Sequence, residues 1–251
     1  MANTVERFSN RVANYVRFRP AYPPEVLQFF KDELNLQETS VVADIGSGTG
    51  ISAKIFLENG NPVFGVEPNA AMRGAAEEFL KDFPNFESVD GTAENTTLED
   101  ESVDFVTAAQ AFHWFDAEKT RSEFKRILCR GGWVVLMWNE RQLDSTEFLR
   151  QYEQLLLEYG TDYREVRHEK VTAELIGEFF QADFRKKTFE NRQVLDFEGL
   201  RGRMLSSSYI PSAENPRFGE MLKTLRRLFT KHQKSDTIQI LYDTNLFYGR
   251  I

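Results

Sequence analysis

The sequence predicts an α/β fold in which a doubly wound, mostly parallel sheet carries helices on both faces. Three observations carry that prediction. Strand-like and helix-like segments alternate from Val41 to Trp138, and such alternation builds a parallel sheet covered by helices. The apolar run Val41-Val42-Ala43-Asp44-Ile45 passes straight into Gly46-Ser47-Gly48-Thr49-Gly50, the pattern of a buried strand that turns sharply into a helix. An acid, Glu67, closes the next apolar segment, Pro62 to Val66.

Pro23-Pro24 opens a first helix with Val26, Leu27, Phe30 and Leu34 on one face. After the first strand and its glycines, a helix begins over Ile51 to Phe56, and the second strand ends at Gly65-Val66-Glu67-Pro68-Asn69. A third strand ends at Val89-Asp90-Gly91-Thr92-Ala93-Glu94. A fourth begins at Val103 and ends at Ala109-Gln110-Ala111-Phe112-His113-Trp114-Phe115-Asp116. Asp116 is placed to cap a helix bearing Phe124, Ile127 and Leu128. After Trp138 the rhythm changes. One helical pattern carries Phe148, Leu149, Tyr152, Leu155 and Leu156. A second, behind Thr172, carries Leu175, Ile176, Phe179 and Phe180. The pair is expected to form a helical lid insertion over residues 142–182. A sixth strand runs from Phe184 to Val194. Asn215-Pro216 is expected to cap an amphipathic helix with Phe218, Met221, Leu222, Leu225, Leu228 and Phe229. A last strand spans Thr237 to Tyr248. Residues 1–251 are expected to form one domain, with an N-terminal flap and helix over residues 1–36.

A strand that turns sharply into a helix leaves the first helical N–H groups unpaired and pointing outward. Glycines there allow φ > 0 without strain and let a ligand approach the backbone closely, so the loop reads as a site for a nucleotide-like molecule. A dinucleotide fingerprint would place its third glycine three positions after the second, where Ile51 stands instead. A P-loop is excluded, because no Gly-Lys-Ser/Thr follows and the first lysine after the loop is Lys54.

Asp44 with Gly46-x-Gly48-x-Gly50 resembles motif I of the class I S-adenosylmethionine (SAM) methyltransferases. Glu67 stands in register with it, and a carboxylate at the tip of a second strand can accept hydrogen bonds from both ribose hydroxyls. Taken alone, a helix-capping Glu67 would serve equally well. The resemblance runs from Phe8 to Asn139 and is nearest to the type-11 methyltransferase group, which includes ubiquinone/menaquinone and trans-aconitate methyltransferases. Phe8, Tyr15, Arg19-Pro20, Tyr22-Pro23, the Gln110-to-Phe115 string, Arg130-Gly131-Gly132 before strand five, and Ser206-Ser207-Ser208-Tyr209 fit that group as well. The resemblance implies SAM as cofactor, S-adenosylhomocysteine as product, and a seven-stranded order 3-2-1-4-5-7-6 with an antiparallel edge. It also implies a cofactor site of Tyr15, Arg19, Asp44, Gly46, Ser47, Gly48, Gly50, Glu67, Pro68, Met72, Thr92, Ala93, Glu94 and Gln110. In it Asp44 orients the loop and holds the methionine amino group, and Thr92, Ala93 and Glu94 hold the adenine. Tyr15 and Arg19 close a flap over the methionine end, a surface helix cap being the other reading of that pair.

Composition agrees with one large α/β domain. The chain has 251 residues, 41% of them hydrophobic, with 22 phenylalanines, which is ample for a core. No apolar run reaches the roughly 18 residues that a membrane span needs, and Met1 to Asn10 are too polar for a secretory signal. Cys129 is the single cysteine, so neither a disulfide nor a cysteine metal site is expected, and the expected location is the cytoplasm. The net charge of −8 opposes non-specific nucleic-acid binding. Residues 1–140 carry 13 Lys/Arg against 22 Asp/Glu and residues 141–251 carry 18 against 17, so the acidity lies in the first part. The basic groups Arg185-Lys186-Lys187, Arg192, Arg201, Arg203, Lys223, Arg226, Arg227, Lys231 and Lys234 read as a solvated face. If they bear on the acceptor at all, they favour an anionic one.

Methyl transfer from a sulfonium is an in-line displacement in which the protein chiefly aligns the reactants and excludes water. No single residue type marks the catalyst. His113, just past strand four, is the candidate base, since imidazole accepts a proton near neutral pH. Packing against the cofactor or capping the next helix remains an alternative for it, and His168 and His232 read as structural. Phe112, Trp114, Phe115 and Tyr209 are expected to line an acceptor pocket, one or two of the first three being plain core. An Asn/Asp-Pro-Pro-aromatic string, which reads an extruded base, is absent after strand four, so nucleic-acid substrates are disfavoured. The reading is a SAM-dependent methyltransferase of a small molecule, monomeric or weakly dimeric, with no nucleic acid, membrane or metal partner. The alternative is a SAM-binding regulatory or partner-binding protein without transfer activity. A nicotinamide-dependent reductase is the third reading, against which the Gly50/Ile51 spacing argues.

Overall fold

The computed structural model describes residues 17–163 and 173–251. Helix α1 (Pro24–Leu34) has proline at its first position and ends on Asn35 in a left-handed conformation. There follow β1 (Val42–Ile45), α2 (Ala53–Glu58), β2 (Val63–Val66), α3 (Ala70–Phe79), β3 (Phe86–Val89), β4 (Val103–Ala109), α4 (Ala117–Ile127) and β5 (Leu128–Arg141). The second part holds α5 (Glu147–Tyr159), α6 (Ala173–Phe180), β6 (Phe184–Leu195), α7 (Phe197–Leu205), α8 (Phe218–His232) and β7 (Ile238–Gly249).

Among the described residues these strands form one sheet of seven, in the order β3-β2-β1-β4-β5-β7-β6. Strands β1 to β5 pair in parallel, and β7 enters antiparallel between β5 and β6. All four residues of β1 are buried, as befits a central strand covered on both faces. The edge strand β6 alternates half-buried with exposed residues over much of its length. One face of the sheet is covered by α1 and α2 through Val26, Phe30, Ala53 and Phe56. The other is covered by α4 and α6 through Phe124, Ile127, Ile176 and Phe179.

A third cluster lies beyond the sheet. Phe148, Tyr152 and Leu156 of α5, Leu200 and Met204 of α7, and Met221, Leu225 and Phe229 of α8 pack with Ile240 and Tyr242 of β7. This cap divides the pair of helices expected as one lid over residues 142–182. Helix α5 belongs to the cap, whereas Phe179 of α6 packs on Phe112 and Phe124 in the sheet's own core. Thr172 and His168 lie outside the described residues. Asp116 caps α4 by accepting from Lys119 N at 3.2 Å, as expected. The start of α8 differs from expectation. Its N-cap is Arg217, with no side-chain cap bond, and Asn215 instead bonds the Arg217 N–H.

Candidate active site

The C-terminal ends of β1, β2 and β4 converge on the glycine loop. Gly46, Gly48 and Gly50 have φ of 67°, 57° and 82°, a region that side-chain-bearing residues seldom adopt. Space is as restrictive as torsion at the first of them. A Cβ on Gly46 would lie 2.6 Å from the Ala111 Cβ and 3.2 Å from the Phe115 ring. The loop is tied to the tip of β2, where Gly46 N and Ser47 N both donate to the Val66 carbonyl. Met72 is buried beside the loop, its Cε 3.5 Å from where a Cβ of Gly48 would stand.

Glu67 completes the tie. Its Oε2 accepts from Gly48 N at 3.0 Å and its Oε1 from Asn69 N at 2.9 Å. Burial pushes its pKa up, against these two bonds and the nearby Arg73. Each carboxylate oxygen keeps a second lone pair for a further donor. Asn69 caps α3 through Ala71 N and Met72 N. Arg73 donates to the Glu67 carbonyl and forks onto Asp90, fixing the tips of β2 and β3 together. Pro68, between Glu67 and Asn69, is exposed.

Asp44 lies under the loop and is fully buried. Its oxygens accept from Ser52 Oγ at 2.6 Å and Thr107 Oγ1 at 3.0 Å. Burial raises its pKa to about 6, which those hydrogen bonds partly oppose. Both oxygens therefore serve to clamp the start of α2 and β4 around the loop.

After β3, Thr92 and Asn95 close a small turn, Ala93 is buried, and Glu94 Oε1 accepts from Asp116 N at 2.9 Å. Glu94 thus braces the start of α4. Gln110, just past β4, has a φ of 57°, unusual for a residue with a side chain. Its Nε2 donates to the Asn139 carbonyl at 3.1 Å, and its buried Oε1 has no partner among the described residues. A single 3-10 turn, Phe112–Trp114, follows. Phe112 is 2% exposed and packs on Trp138 and Phe179, so it is core and not pocket lining. His113 is half-buried, with its ring 4.7 Å from that of Trp114, which is 43% exposed. Phe115 packs on the glycine loop through Gly46.

The segment Arg19 to Ala21 lies against this mouth. Asn139 Nδ2 and Asn191 Nδ2 donate to the Ala21 carbonyl, and Asn139 Oδ1 accepts from Asn191 and from Thr244 Oγ1. Arg19 Nη2 bonds the Ser206 carbonyl at 3.1 Å, which ties the segment to α7. Tyr15 lies outside the described residues. Tyr209 stands in the cap, its ring 4.7 Å from Tyr163, away from the loop's own contacts. Sequence reasoning missed Ser52, Thr107, Asn139 and Arg73. Small polar residues carry no periodic signal, and their roles arise from strands brought together by pairing. Among the described residues no three His, Cys, Asp or Glu gather as metal ligands, and no helix is long and apolar enough to cross a membrane.

A methyltransferase-domain family model matches residues 43–136, from β1 through most of β5. A methyltransferase-like protein of Schizosaccharomyces pombe, itself uncharacterized, is 30% identical over 247 residues, spanning 97% of this chain and 94% of that one. The chain belongs to the SAM-dependent methyltransferase family. The fold of this methyltransferase is shared by a provisionally named type II methyltransferase of Anaeromyxobacter dehalogenans, with TM-score 0.67, 19% identity, and 93% and 98% of the two chains covered. It is shared too by the Haemonchus contortus phosphoethanolamine N-methyltransferase 2 in complex with phosphomonomethylethanolamine and S-adenosylhomocysteine, with TM-score 0.58 and 17% identity over 96% and 56% of the two chains. The cofactor is SAM, and the site suits it. The cradle at Gly46 would be filled by a single Cβ, and the Glu67 carboxylate retains accepting capacity beside it.

Proposed function

We propose that this methyltransferase acts on a small-molecule acceptor enclosed between the mouth of the sheet and the helical cap. The observation that carries the reading is the cap itself. Helices α5, α7 and α8 pack with Ile238, Ile240 and Tyr242 of β7, of which Tyr242 pairs with Arg141 at the far end of β5 and the other two lie beyond it. Ligands of open α/β sheets bind at the carboxyl ends of the strands, and a cap packed there favours a compact acceptor over a polymer.

SAM supplies a methyl group already activated on a sulfonium. The protein's share is binding, alignment and exclusion of water. Gly46, Ser47, Gly48 and Gly50 offer close backbone approach, and Glu67 accepts from the ribose hydroxyls. Pro68 and Met72 would flank that position, Thr92, Ala93 and Glu94 would border the adenine, and the Gln110 amide would meet the methionine end. Asp44 acts beneath them by holding the loop in shape. Arg19 belongs to the segment that lies against the mouth. Trp114, Phe115 and Tyr209 contact the acceptor. His113 takes a proton where the acceptor's nucleophile has one to lose. The enzyme works in the cytoplasm, as a monomer or weak homodimer, without nucleic acid or membrane.

Calorimetry with S-adenosylhomocysteine tests the cofactor site. Micromolar binding is expected, and it should be lost in Gly48→Val, because a β-branched residue resists φ of 57°. No heat with either SAM or its product would overturn the reading. Release of S-adenosylhomocysteine across carboxylates, phenols, amines and quinones then identifies the acceptor. Binding without release throughout such a panel would favour a regulatory protein instead.

A further inference from the structure

Two arginines sit in the cap, Arg203 buried and Arg141 nearly so, and only Arg141 has a carboxylate. Arg141, at the end of β5, pairs with Glu153 of α5, which also accepts from the Tyr163 hydroxyl at 2.6 Å. Its guanidinium lies 5.2 Å from the centre of the Tyr152 ring. Arg203, on α7, is 8% exposed and is held by neutral groups alone. Its Nε donates to the Tyr242 hydroxyl at 3.1 Å and its Nη1 to Ser207 Oγ at 3.2 Å. Among the described residues no Asp or Glu pairs with it, and its Nη2 has no partner. Burial drives the pKa of the neighbouring Tyr152 hydroxyl upward, so that group supplies no negative charge either.

A buried cation without a counter-charge is costly, and folded proteins pair such groups or use them to meet a ligand's charge. The flat guanidinium fork matches carboxylate and phosphate oxygens two at a time. Here the fork is already oriented by two hydroxyls, with its third nitrogen left over. Its place in the fold also fits. Tyr242, which holds it, is the register partner of Arg141, two residues beyond Asn139 on β5. The Asn139 carbonyl holds Gln110 at the end of β4, so Tyr242 stands about 7 Å further out, at roughly 3.3 Å per residue. Helix α7 is pinned over this mouth, because the Phe18 ring fills the space a Cβ of Gly202 would need and Arg19 bonds the Ser206 carbonyl.

We propose that Arg203, oriented by Ser207 and Tyr242, is an oxyanion-recognition subsite of the cap, and that the methyl acceptor carries a carboxylate or phosphate group which it binds. The proposal rests on the reading of the cap as the acceptor's enclosure. It separates Arg203 from Arg201, which is more exposed and already paired with Glu198 at 3.0 Å.

The test uses the full chain saturated with S-adenosylhomocysteine and three probes: succinate, methyl phosphate and the neutral isostere succinamide. Calorimetry should show saturable binding of at least one anion and none of succinamide, and the better anion tells carboxylate from phosphate. Arg203→Met should weaken that binding at least tenfold, Arg203→Lys should weaken it less, and Arg201→Ala should leave it unchanged. All three variants should bind S-adenosylhomocysteine within about twofold of the parent, which also shows that they are folded. Equal anion binding in Arg203→Met, or no anion binding by the parent while S-adenosylhomocysteine binds, would overturn the proposal. An Arg203→Met chain too unstable to bind S-adenosylhomocysteine would pass the decision to Arg203→Lys, where anion affinity equal to the parent's would overturn it. Failure of the parent to bind S-adenosylhomocysteine would instead overturn the methyltransferase reading beneath it.

Discussion

Replacing Asp44 with Asn isolates the electrostatic cost of the clamp beneath the glycine loop. Asp44 is fully buried and its pKa is raised from 3.8 to about 6. That shift of about two units corresponds to roughly 3 kcal/mol, at about 1.4 kcal/mol per unit. The folded value lies above the unfolded one, so Asp44 favours folding fully below pH 3.8 and loses that contribution as pH rises through about 6. At pH 7 the ionised group therefore opposes folding. Asparagine keeps the shape without the charge. One of the two hydroxyls, of Ser52 or Thr107, must then turn to accept from the amide, at a cost of about 1 kcal/mol. The expected balance at pH 7 is a gain for Asp44→Asn of about 1–2 kcal/mol, shrinking and then reversing as pH falls toward 4. Urea unfolding of both proteins from pH 4 to 8 reads this out. Taking the difference cancels the other titrating groups apart from Glu67, whose charge contributes to the Asp44 shift. Parallel stability curves, or a uniform loss at every pH, would refute the account. Because both Asp44 oxygens are engaged internally, S-adenosylhomocysteine affinity should fall less than about tenfold, under about 1.4 kcal/mol. A collapse of a hundredfold or more would mean that the carboxylate meets the ligand itself.

Two further outcomes follow from the cap and the core. Glu153→Gln removes the charge opposite the nearly buried Arg141 and should destabilise by about 3 kcal/mol in thermal or urea unfolding; a change under about 0.5 kcal/mol would show that the pair is already hydrated. Phe112→Ala should cost about 3–5 kcal/mol, because the ring is 2% exposed among Trp138, Phe179 and Phe115. The acceptor KM of whatever folds should be unchanged, and a raised KM with near-normal stability would return Phe112 to the acceptor pocket.

The sheet and its loop were legible because their signals are local. A continuous apolar run, glycines at alternate positions and an acid at a strand tip each report on a backbone that touches its own neighbours in sequence. The helices after β5 were harder to place. Their apolar stripes say that a partner exists but not which one, so α5 and α6 read alike although one joins the cap and the other the sheet. Asp44 and Glu94 are expected in the cofactor site from sequence, yet the hydrogen bonds they make are to protein groups. One donor to each lies far along the chain, at Thr107 and Asp116, and only the folded sheet with its helices brings them close. Arg203 stood in the sequence among many basic residues. Nothing in its neighbours foretold that it would be buried while Arg201, two positions earlier, stays paired at the surface.

The insertion of β7 between β5 and β6 has a consequence for how the molecule comes into being. Synthesis delivers β6 before the strand it must pair with, so residues 184–195 have no place in the sheet until residues 238–249 have followed. The clasp on Asn139 waits on the same event, since Thr244 arrives with β7, long after Ala21 and Asn139. Contacts this distant in sequence form late and slowly. The nascent chain can therefore complete β1 to β4 and the glycine loop while still emerging. The antiparallel side of the sheet closes only when β7 arrives, which makes residues 238–249 the step on which the mouth's completion depends.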